Sequence, residues 1–348
     1  MSAHISRSGT MPDISNTHQV RISDVMAADK TVRPDVIETP LLSSDRLNQK
    51  LPFDLWIKAD CLQRTGAFKF RGATNAMKSL PEDVKSVIAF SSGNHAQAVA
   101  LAAQLTGRTA TIIMPKDAPV AKIEGTRAYG ADVVLYDRYS ESREEIGEKL
   151  AAEKKAELIR PFDDVRVIAG QGTAGMEIAR QCAERGITPD SFICCCGGGG
   201  LISGSALALK YSFPDINIHS AEPEGFDDTA RSLVSGKHEV NDASARSICD
   251  AIVTPSPGQL TFPIMQNAGI SGLVASDEAV MEAMGVAYSY FKVTAEPGGA
   301  IALACALSDD YLSRFDSRSP RQTVIAIISG GNVDAEMTSR ALSAPTRF

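Results

Sequence analysis

The 348-residue sequence lacks the marks of several classes of protein. It has no apolar run near the roughly 20 residues that a membrane-spanning helix needs. Residues 1–20 have no apolar stretch flanked by basic residues, so we expect no signal peptide. The net charge of −7 is the opposite of the basic excess of nucleic-acid-binding proteins. We therefore expect no nucleic-acid partner, no membrane partner, a cytoplasmic location and a mobile arm over residues 1–20.

The chain has an odd number of cysteines, so they cannot all be paired in disulfides within it. Seven cysteines in a long chain without a predicted signal favour free thiols in a reducing compartment. Three of them are consecutive, from Cys194 to Cys196. Side chains alternate between the two faces of a strand, so these three cannot all point at one metal. We interpret them as small apolar residues of a buried strand.

The order of predicted elements indicates an α/β fold. Hydrophobic residues make up 44% and charged residues 22% of the chain, as in soluble globular proteins. From about residue 87, short apolar strands alternate with helices, and glycine-bearing connections join them. A second such run starts near Pro161. This alternation predicts open, twisted parallel sheets in two domains. We predict a small domain at 83–160 inserted into a large domain formed by 21–82 and 161–348.

Three glycine-bearing loops follow predicted strands, at residues 91–95, 197–200 and 329–332. Ligands of open α/β sheets bind at the carboxyl ends of the strands. We therefore predict a site in the cleft between the two domains, lined by these loops and by Lys69.

Lys69 lies between two phenylalanines at the start of a predicted helix. Ala73, Ala76, Met77 and Leu80 have the spacing of one helix face. An apolar setting disfavours the ammonium, and a neutral amine is a nucleophile that can attach to a carbonyl. The alternative is a lysine whose stem packs while its charged end reaches water.

The loop from Gly197 to Leu201 stands between a predicted strand and a predicted helix. Glycines let the backbone wrap an anion, and a helix N-terminus supplies free N–H groups. The loop matches neither the dinucleotide fingerprint nor the nucleoside-triphosphate loop. It predicts a phosphate site, and the alternative is a tight strand-to-helix turn.

Two further stretches carry polar groups. Residues 91–95 combine serines, Asn94 and His95 at a helix start, which suits a carboxylate; the alternatives are a helix cap and a structural histidine. In residues 222–228, the carboxylates of Glu222 and Asp228 could share a hard cation such as Mg²⁺ or Ca²⁺. The alternative there is a solvated acidic loop.

Taken together, these motifs resemble the fold-type II pyridoxal-phosphate (PLP) enzymes of the threonine dehydratase and serine racemase family, whose fold is like that of the tryptophan synthase β chain. The resemblance covers about Thr39 to Asp334. The motifs come in the family's order: residues 66–73, 91–95 and 197–201, Glu222-Pro223, Glu296-Pro297, and residues 329–332.

The resemblance implies a set of cofactor contacts. Lys69 would carry PLP, and Phe68 would pack against its ring. Asn94 would bond the phenolic oxygen, and Ser329 would face the pyridine nitrogen. The residues that would hold the phosphate are Gly197, Gly198, Gly199, Gly200 and Leu201.

The resemblance also implies substrate and metal contacts. Ser91, Ser92, Asn94 and His95 would bind the substrate carboxylate. Ser92 matches the residue that, in the racemases, acts on the cofactor face opposite to the lysine. The ligands of a divalent cation, Mg²⁺ or Ca²⁺, would be Glu222, the carbonyl of Phe226 and Asp228.

The implied reaction is the α,β-elimination of a β-hydroxy amino acid, with Lys69 as base. L-threonine, L-serine or a hydroxyaspartate would give a 2-oxo acid and ammonia. The neutral Ser329 at the pyridine nitrogen favours elimination over transamination. A racemase is the alternative, and Ser92 does not discriminate because many dehydratases share it. A catalytically silent binding protein is disfavoured because Lys69 and the three loops are intact. The family suggests a homodimer.

The sequence departs from the family near the substrate. Ala67 stands where a serine often precedes Phe-Lys. Ala251, in Cys249-Asp250-Ala251, stands where many relatives have glycine, and its methyl group could reshape the substrate pocket.

Overall fold

The computed structural model describes residues 19–91, 93–118, 120–137, 140–316 and 318–348. The predicted N-terminal arm, up to residue 18, and Ser92 lie outside the described residues. No helix in the described ranges is both long and apolar enough to cross a membrane.

The described chain forms ten strands in two sheets. Their bounds are β1 Leu41–Ser43, β2 Asp54–Ala59, β3 Ser86–Phe90, β4 Thr109–Pro115, β5 Asp132–Tyr136, β6 Glu157–Leu158, β7 Ser191–Cys195, β8 Asn217–Pro223, β9 Ser271–Ala275 and β10 Thr323–Ile328. The first sheet has the order β1-β2-β10-β7-β8-β9, and only β1 is antiparallel. The second has the order β5-β4-β3-β6 and is wholly parallel. The predicted α/β fold with parallel sheets is confirmed.

Helices cover these sheets and connect their strands. Their bounds are α1 Ile22–Val32, α2 Asp45–Asn48, α3 Lys69–Lys78, α4 Asn94–Leu105, α5 Val120–Ala128, α6 Arg143–Lys154, α7 Val165–Gln171, α8 Thr173–Arg185, α9 Gly200–Ser212, α10 Asp228–Ser235, α11 Thr261–Asn267, α12 Asp277–Val286, α13 Pro297–Ala306, α14 Asp309–Leu312 and α15 Ala335–Ser343. Sequence signals explain several ends. Ser276 caps α12 by accepting from the Ala279 N–H, and Gly186 ends α8 at φ 64°.

The four strands of the second sheet, β3 to β6, follow one another in the sequence. In the order of the chain they come between β2 and β7 of the first sheet. Helix α3 comes before the second sheet in the chain, yet its residues Phe70, Ala73, Ala76 and Met77 share one apolar cluster with β3, β4 and α4. Helix α3 packs against α4 on the side of the second sheet and against α7, which follows that sheet in the chain. The domain boundaries that we predict at 82/83 and 160/161 stay predictions.

Strands β7 and β10 lie in the middle of the first sheet. All five residues of β7 are buried, because helices cover both faces of the sheet. All seven cysteines are free and buried, which agrees with the interpretation of Cys194 to Cys196 as core residues. The predicted loops follow the carboxyl ends of β3, β7 and β10, so the fold brings chain segments far apart in sequence to one cleft.

Candidate active site

A cavity of about 400 Å³ lies between the two sheets, at the carboxyl ends of β3, β7 and β10. Most of the site residues predicted from the sequence line it: Phe68, Lys69, Ser91, Asn94, His95, Gly197, Gly198, Gly199, Gly200, Leu201 and Ser329. Ser92 lies outside the described residues. The predicted metal residues Glu222, Phe226 and Asp228 do not line this cavity.

Lys69 is the first residue of α3, and its amine faces the cavity. The Nζ atom donates to the carbonyl oxygen of Pro161 at 2.9 Å and lies 5.0 Å from the centre of the Phe68 ring. Burial lowers the pKa of Lys69 to about 8. About half of this amine is therefore neutral at pH 8, and this neutral form can act as nucleophile or base.

The loop that precedes Lys69 is bound to the loop that follows β10. The Phe68 N–H donates to the Ser329 carbonyl at 2.9 Å, and the Gly331 N–H donates to the Gly66 carbonyl at 2.9 Å. Gly66 has φ 72°, and a Cβ there would overlap the Asn332 side chain. Only glycine satisfies both constraints. The lysine and the β10 loop are thus held as one unit.

A network of buried charged side chains connects α3 to neighbouring elements of the fold. The Arg71 guanidinium bonds Asp60 (Nε–Oδ2, 2.8 Å) and Glu177 (Nη1–Oε1, 2.6 Å). The Lys58 Nζ lies 2.7 Å from Oε2 of the same Glu177. All four side chains are almost fully buried, with two charges of each sign. Balanced and hydrogen-bonded charges avoid most of the penalty of burying an unpaired ion. The network ties α3 to β2 and α8, two residues beyond Lys69.

The glycine loop connects β7 to the N-terminus of α9. Gly199 has φ 89°, and a Cβ on Gly198 would overlap the Phe162 ring. The Thr261 hydroxyl donates to the Gly198 carbonyl at 2.6 Å and fixes the loop. A 13-residue helix starts at Gly200, so its first N–H groups give this end of the cavity positive potential. The loop fits an anion such as a phosphate.

Asn94 begins α4 and is held by two side chains. Its Nδ2 donates to Oε1 of Glu296 at 2.5 Å, and its Oδ1 accepts from Nδ2 of Asn332 at 2.8 Å. Nδ2 has a second hydrogen, which has no partner among the described residues and can donate to a ligand oxygen. Glu296 is buried, and burial raises its pKa to about 7. In the sequence, Glu296 is only a motif position, and its bond to Asn94 is a finding of the structure.

Ser329 follows β10 on the cavity wall, and Cys195 ends the neighbouring strand β7 beside it. The Cys195 Sγ donates to the Ser329 Oγ at 3.1 Å. No carboxylate bonds the Ser329 hydroxyl in the described part of the chain. A ligand group at this end of the cavity would meet a neutral hydroxyl.

Comparison with known proteins decides the family. Residues 32–330 match the family model described as pyridoxal-phosphate dependent enzyme. The chain belongs to this family. The predicted family and PLP as the cofactor are therefore confirmed.

Three relatives show how far the similarity extends. A serine racemase of Oryza sativa subsp. indica is 38% identical over 333 residues, which cover 94% of this chain and 96% of the relative. An L-threo-3-hydroxyaspartate ammonia-lyase of Saccharomyces cerevisiae is 40% identical over 322 residues, 92% of this chain and 95% of the relative. A crystal structure of a threonine deaminase from T.th. has 41% identity and a TM-score of 0.84, and covers 90% of this chain and 99% of that chain. Ammonia-lyase and racemase are the two activities that the sequence predicts.

The cavity of this PLP-dependent enzyme fits its cofactor. PLP carries an aldehyde, and the Lys69 amine is a nucleophile that can attach to it. The glycine loop meets the need for a phosphate cradle. The Asn94 amide and the Ser329 hydroxyl supply polar groups along the same wall.

His95 has a different environment from the one predicted. It is buried, and its Nε2 lies 3.0 Å from the Ile159 carbonyl oxygen. Burial lowers the pKa of His95 to about 3, so the ring is neutral. Because a carbonyl only accepts, Nε2 carries the proton and Nδ1 is an acceptor. The geometry therefore gives His95 no donor for a substrate carboxylate, whereas Ser91 and the N-terminus of α4 have donors.

An ion pair joins the two sides of the cavity. Lys122, on α5, donates to Oδ2 of Asp250 at 2.7 Å, and both residues line the cavity. Asp250 stands next to Ala251, the position at which the sequence departs from the family. The pair therefore connects α5 to the segment of residues 249–251 at the cavity wall.

Glu222 and Asp228 converge at the N-terminus of α10. The Glu222 carboxylate accepts from the backbone N–H groups of Thr229 (2.9 Å) and Ala230 (2.7 Å). Oδ2 of Asp228 is buried and has no partner among the described residues. Burial, with their mutual repulsion acting on Glu222, raises the pKa of Glu222 to about 8, and burial raises that of Asp228 to about 6. No described group of three or more His, Cys, Asp or Glu side chains could hold a metal, so a cation here would need backbone or water oxygens.

Proposed function

We propose that this protein is a PLP-dependent ammonia-lyase, or dehydratase, of a β-hydroxy amino acid of the L-threonine, L-serine or hydroxyaspartate type. Its products would be a 2-oxo acid and ammonia. The observation that carries the proposal is the half-buried Lys69 amine in one cavity with the glycine loop and the neutral Ser329, and the lowering of its pKa to about 8 agrees with this. The names of the yeast relative and of the threonine deaminase structure support it.

The cofactor would be held along the wall from α9 to β10. The N–H groups from Gly197 to Leu201 would bind the phosphate, because a helix N-terminus favours anions. Asn94 would donate to the phenolic oxygen through its remaining hydrogen. Phe68 would pack against the ring, and Ser329 would donate to the pyridine nitrogen.

Lys69 would act as both tether and base. Bound PLP supplies an electron sink for the pair of electrons left when the α-proton departs. About half of the Lys69 amine is neutral at its pKa of about 8, and this neutral form would take that proton at Nζ. The resulting ammonium would return this proton to the β-hydroxyl, which leaves as water, so that the net loss is one water and the Lys69 amine is neutral again. The released enamine then hydrolyses to the 2-oxo acid and ammonia.

The substrate carboxylate would lie at the N-terminus of α4. Ser91 is held there by the Gly93 N–H, which donates to its Oγ at 3.1 Å. The first N–H groups of α4 favour an anion at this point. We keep Ser92 in the proposed site from the sequence alone, and we give His95 only a packing role.

A substrate screen tests the proposal. Wild type would be incubated with L-threonine, L-serine and both threo and erythro hydroxyaspartates, with 2-oxo acid and ammonia measured together. We expect equimolar release with at least one substrate and none in Lys69→Ala. Lys78→Ala, at the exposed end of the same helix, is the control and should remain active. Absence of both products with all substrates would contradict the proposal.

Racemisation is the second candidate, and the rice relative, a serine racemase, favours it. A racemase needs a second acid or base on the cofactor face opposite to Lys69, for which Ser92 is the candidate from the sequence. Measuring D-serine and pyruvate from L-serine in one reaction separates the two functions. D-serine in excess over pyruvate would favour the racemase.

The metal site and the assembly are finer proposals. We propose that Glu222, the Phe226 carbonyl and Asp228 hold Mg²⁺ or Ca²⁺. The unpartnered Asp228 oxygen and the raised pKa values of both carboxyls support a cation there. The cation would neutralise the two carboxylates and fix the start of α10. A homodimer and a cytoplasmic location also stay proposals, the second supported by seven free thiols.

A further inference from the structure

The Cys195 thiol faces the active cavity, unlike those of the two cysteines beside it. Cys195 lines the cavity and is 4% exposed. Cys194 and Cys196 are buried, and neither is among the cavity-lining residues. The Cys194 thiol donates to a backbone carbonyl at 3.4 Å. Alternation along β7 thus turns one thiol of the three toward the ligand.

This thiol is bonded to the residue that we assign to the pyridine nitrogen. The Cys195 Sγ donates to the Ser329 Oγ at 3.1 Å, and Ser329 is 3% exposed. The two residues stand at the ends of adjacent parallel strands, so the sheet itself fixes their separation. Lys69 lines the same cavity.

The direction of this bond determines what Ser329 can do. A serine hydroxyl has one proton to donate and two lone pairs. Since the thiol uses a lone pair, the hydroxyl proton stays available to donate into the cavity. A pyridine nitrogen without a proton is an acceptor, so it fits a hydroxyl oriented in this way. Without the thiol, the Ser329 hydroxyl could rotate and donate its hydrogen bond to another acceptor instead of to the ligand.

We propose that Cys195 is a positioning residue, which orients the Ser329 hydroxyl as a donor to the pyridine nitrogen of PLP. The proposal rests on the role of Ser329 put forward under "Proposed function". Cys195 acts through Ser329 and makes no bond to the reacting atoms of the substrate. It therefore helps to keep the ring nitrogen unprotonated, the state that suits elimination.

The experiment is a double-mutant cycle read out by cofactor binding. PLP is removed from the holoenzyme and titrated back, and the dissociation constant is measured from the absorption of the bound cofactor. The variants are Cys195→Ala, Ser329→Ala and the double variant. Cys195→Ser keeps a donor, and Cys194→Ala is the matched control for the loss of a buried sulfur. Far-ultraviolet circular dichroism checks that each variant is folded.

We expect Cys195→Ala to weaken PLP binding about three- to tenfold, which corresponds to one hydrogen bond of about 1 kcal/mol. Cys195→Ser should bind PLP more tightly than Cys195→Ala, and Cys194→Ala should bind it like wild type. In the Ser329→Ala background, Cys195→Ala should have no further effect, because the two residues act as a unit. The absorption spectrum of bound PLP should change in the same way in both single variants.

Two results would overturn the proposal in distinguishable ways. If Ser329→Ala weakens PLP binding and Cys195→Ala does not, Cys195 has no positioning role while the role of Ser329 stands. If neither variant alters binding or spectrum, the role of Ser329 fails as well. The release of 2-oxo acid by wild type tests the lyase reaction independently of both results.

Discussion

The Nδ2 atom of Asn94 lies 2.5 Å from Oε1 of the buried Glu296, although the two residues are 202 positions apart along the chain. The bond fixes the side chain that we assign to the phenolic oxygen of PLP. Burial raises the pKa of Glu296 to about 7, against an ordinary value of 4.5. This pair therefore links the stability of this part of the cavity to pH.

The first prediction concerns Glu296→Gln. Between pH 4.5 and 7 the folded state keeps a proton on Glu296 that the unfolded state releases, so this residue makes wild type lose stability as pH rises through that window. The glutamine does not ionise, and its amide oxygen still accepts from Asn94. We expect the stability of Glu296→Gln relative to wild type to increase between pH 5 and 8. Urea unfolding at each pH measures this difference, and a difference independent of pH would contradict the prediction.

The second prediction concerns the Lys69 amine. The cofactor-free protein should bind PLP faster as pH rises from about 7 to 9, because the reactive neutral form increases around the pKa of about 8. Stopped-flow absorbance measures the rate. Lys69→Arg should not show, at any pH, the absorption change that accompanies attachment of PLP to Lys69 in wild type. A rate that is the same at pH 7 and pH 9 in wild type would show that deprotonation of Lys69 does not limit attachment.

The third prediction concerns the proposed cation. As pH rises from about 4.5 toward 8, Glu222 ionises in the unfolded state before it does so in the folded state, so the site loses stability in that range. A bound cation favours the ionised carboxylates. Mg²⁺ or Ca²⁺ should therefore raise the Tm, and by more at pH 8 than at pH 6.

Two variants make this measurement specific. Asp228→Asn should abolish the rise in Tm, whereas Glu224→Gln, at an exposed carboxylate of the same loop, should retain it. An equal rise in all three proteins would mean that the cations act elsewhere.

The fourth prediction concerns the charge network behind α3. Arg71→Met would leave Asp60 and Glu177 buried without their main partner. Removing one member of such a pair costs about 3–5 kcal/mol of unfolding free energy. Arg127→Met, which removes an exposed i,i+3 pair with Glu124, should cost less than about 1 kcal/mol. Urea unfolding measures the free energy of unfolding of both variants. A loss below about 1 kcal/mol in both would show that the network does not stabilise the position of α3.

The strands that carry the site were predictable because their sequence signals are local. β7 and β10 are apolar runs followed by glycine or serine loops, and both lie where the sequence predicts. Strands β1, β6 and β9 were not predicted. β6 has two residues, and β9 contains a glycine and does not alternate strictly between buried and exposed residues, so neither gives a clear period of two.

Within the site, the motif residues were predictable, whereas the partners that fix them were not. The glycine loop and the Lys69 motif are contiguous stretches that fold as units. The bonds of Glu296 to Asn94 and of Cys195 to Ser329 join residues 202 and 134 positions apart. Their only local signals are a glutamate before a proline and a thiol at the end of a buried strand. Both signals are common, so tertiary packing was needed to identify them.

The position of β10 has a consequence for biosynthesis. It is the last strand of the described chain, yet it pairs with β2 on one side and β7 on the other and leads directly into Ser329. During synthesis on the ribosome, β2 and β7 cannot be joined by β10 until residues 323–331 have emerged. The segment that holds Lys69 gains its partners at Ser329 and Gly331 at that moment. The protein should therefore acquire its cofactor only after residues 323–331 have been synthesised, so that a product truncated before them carries no assembled reactive lysine.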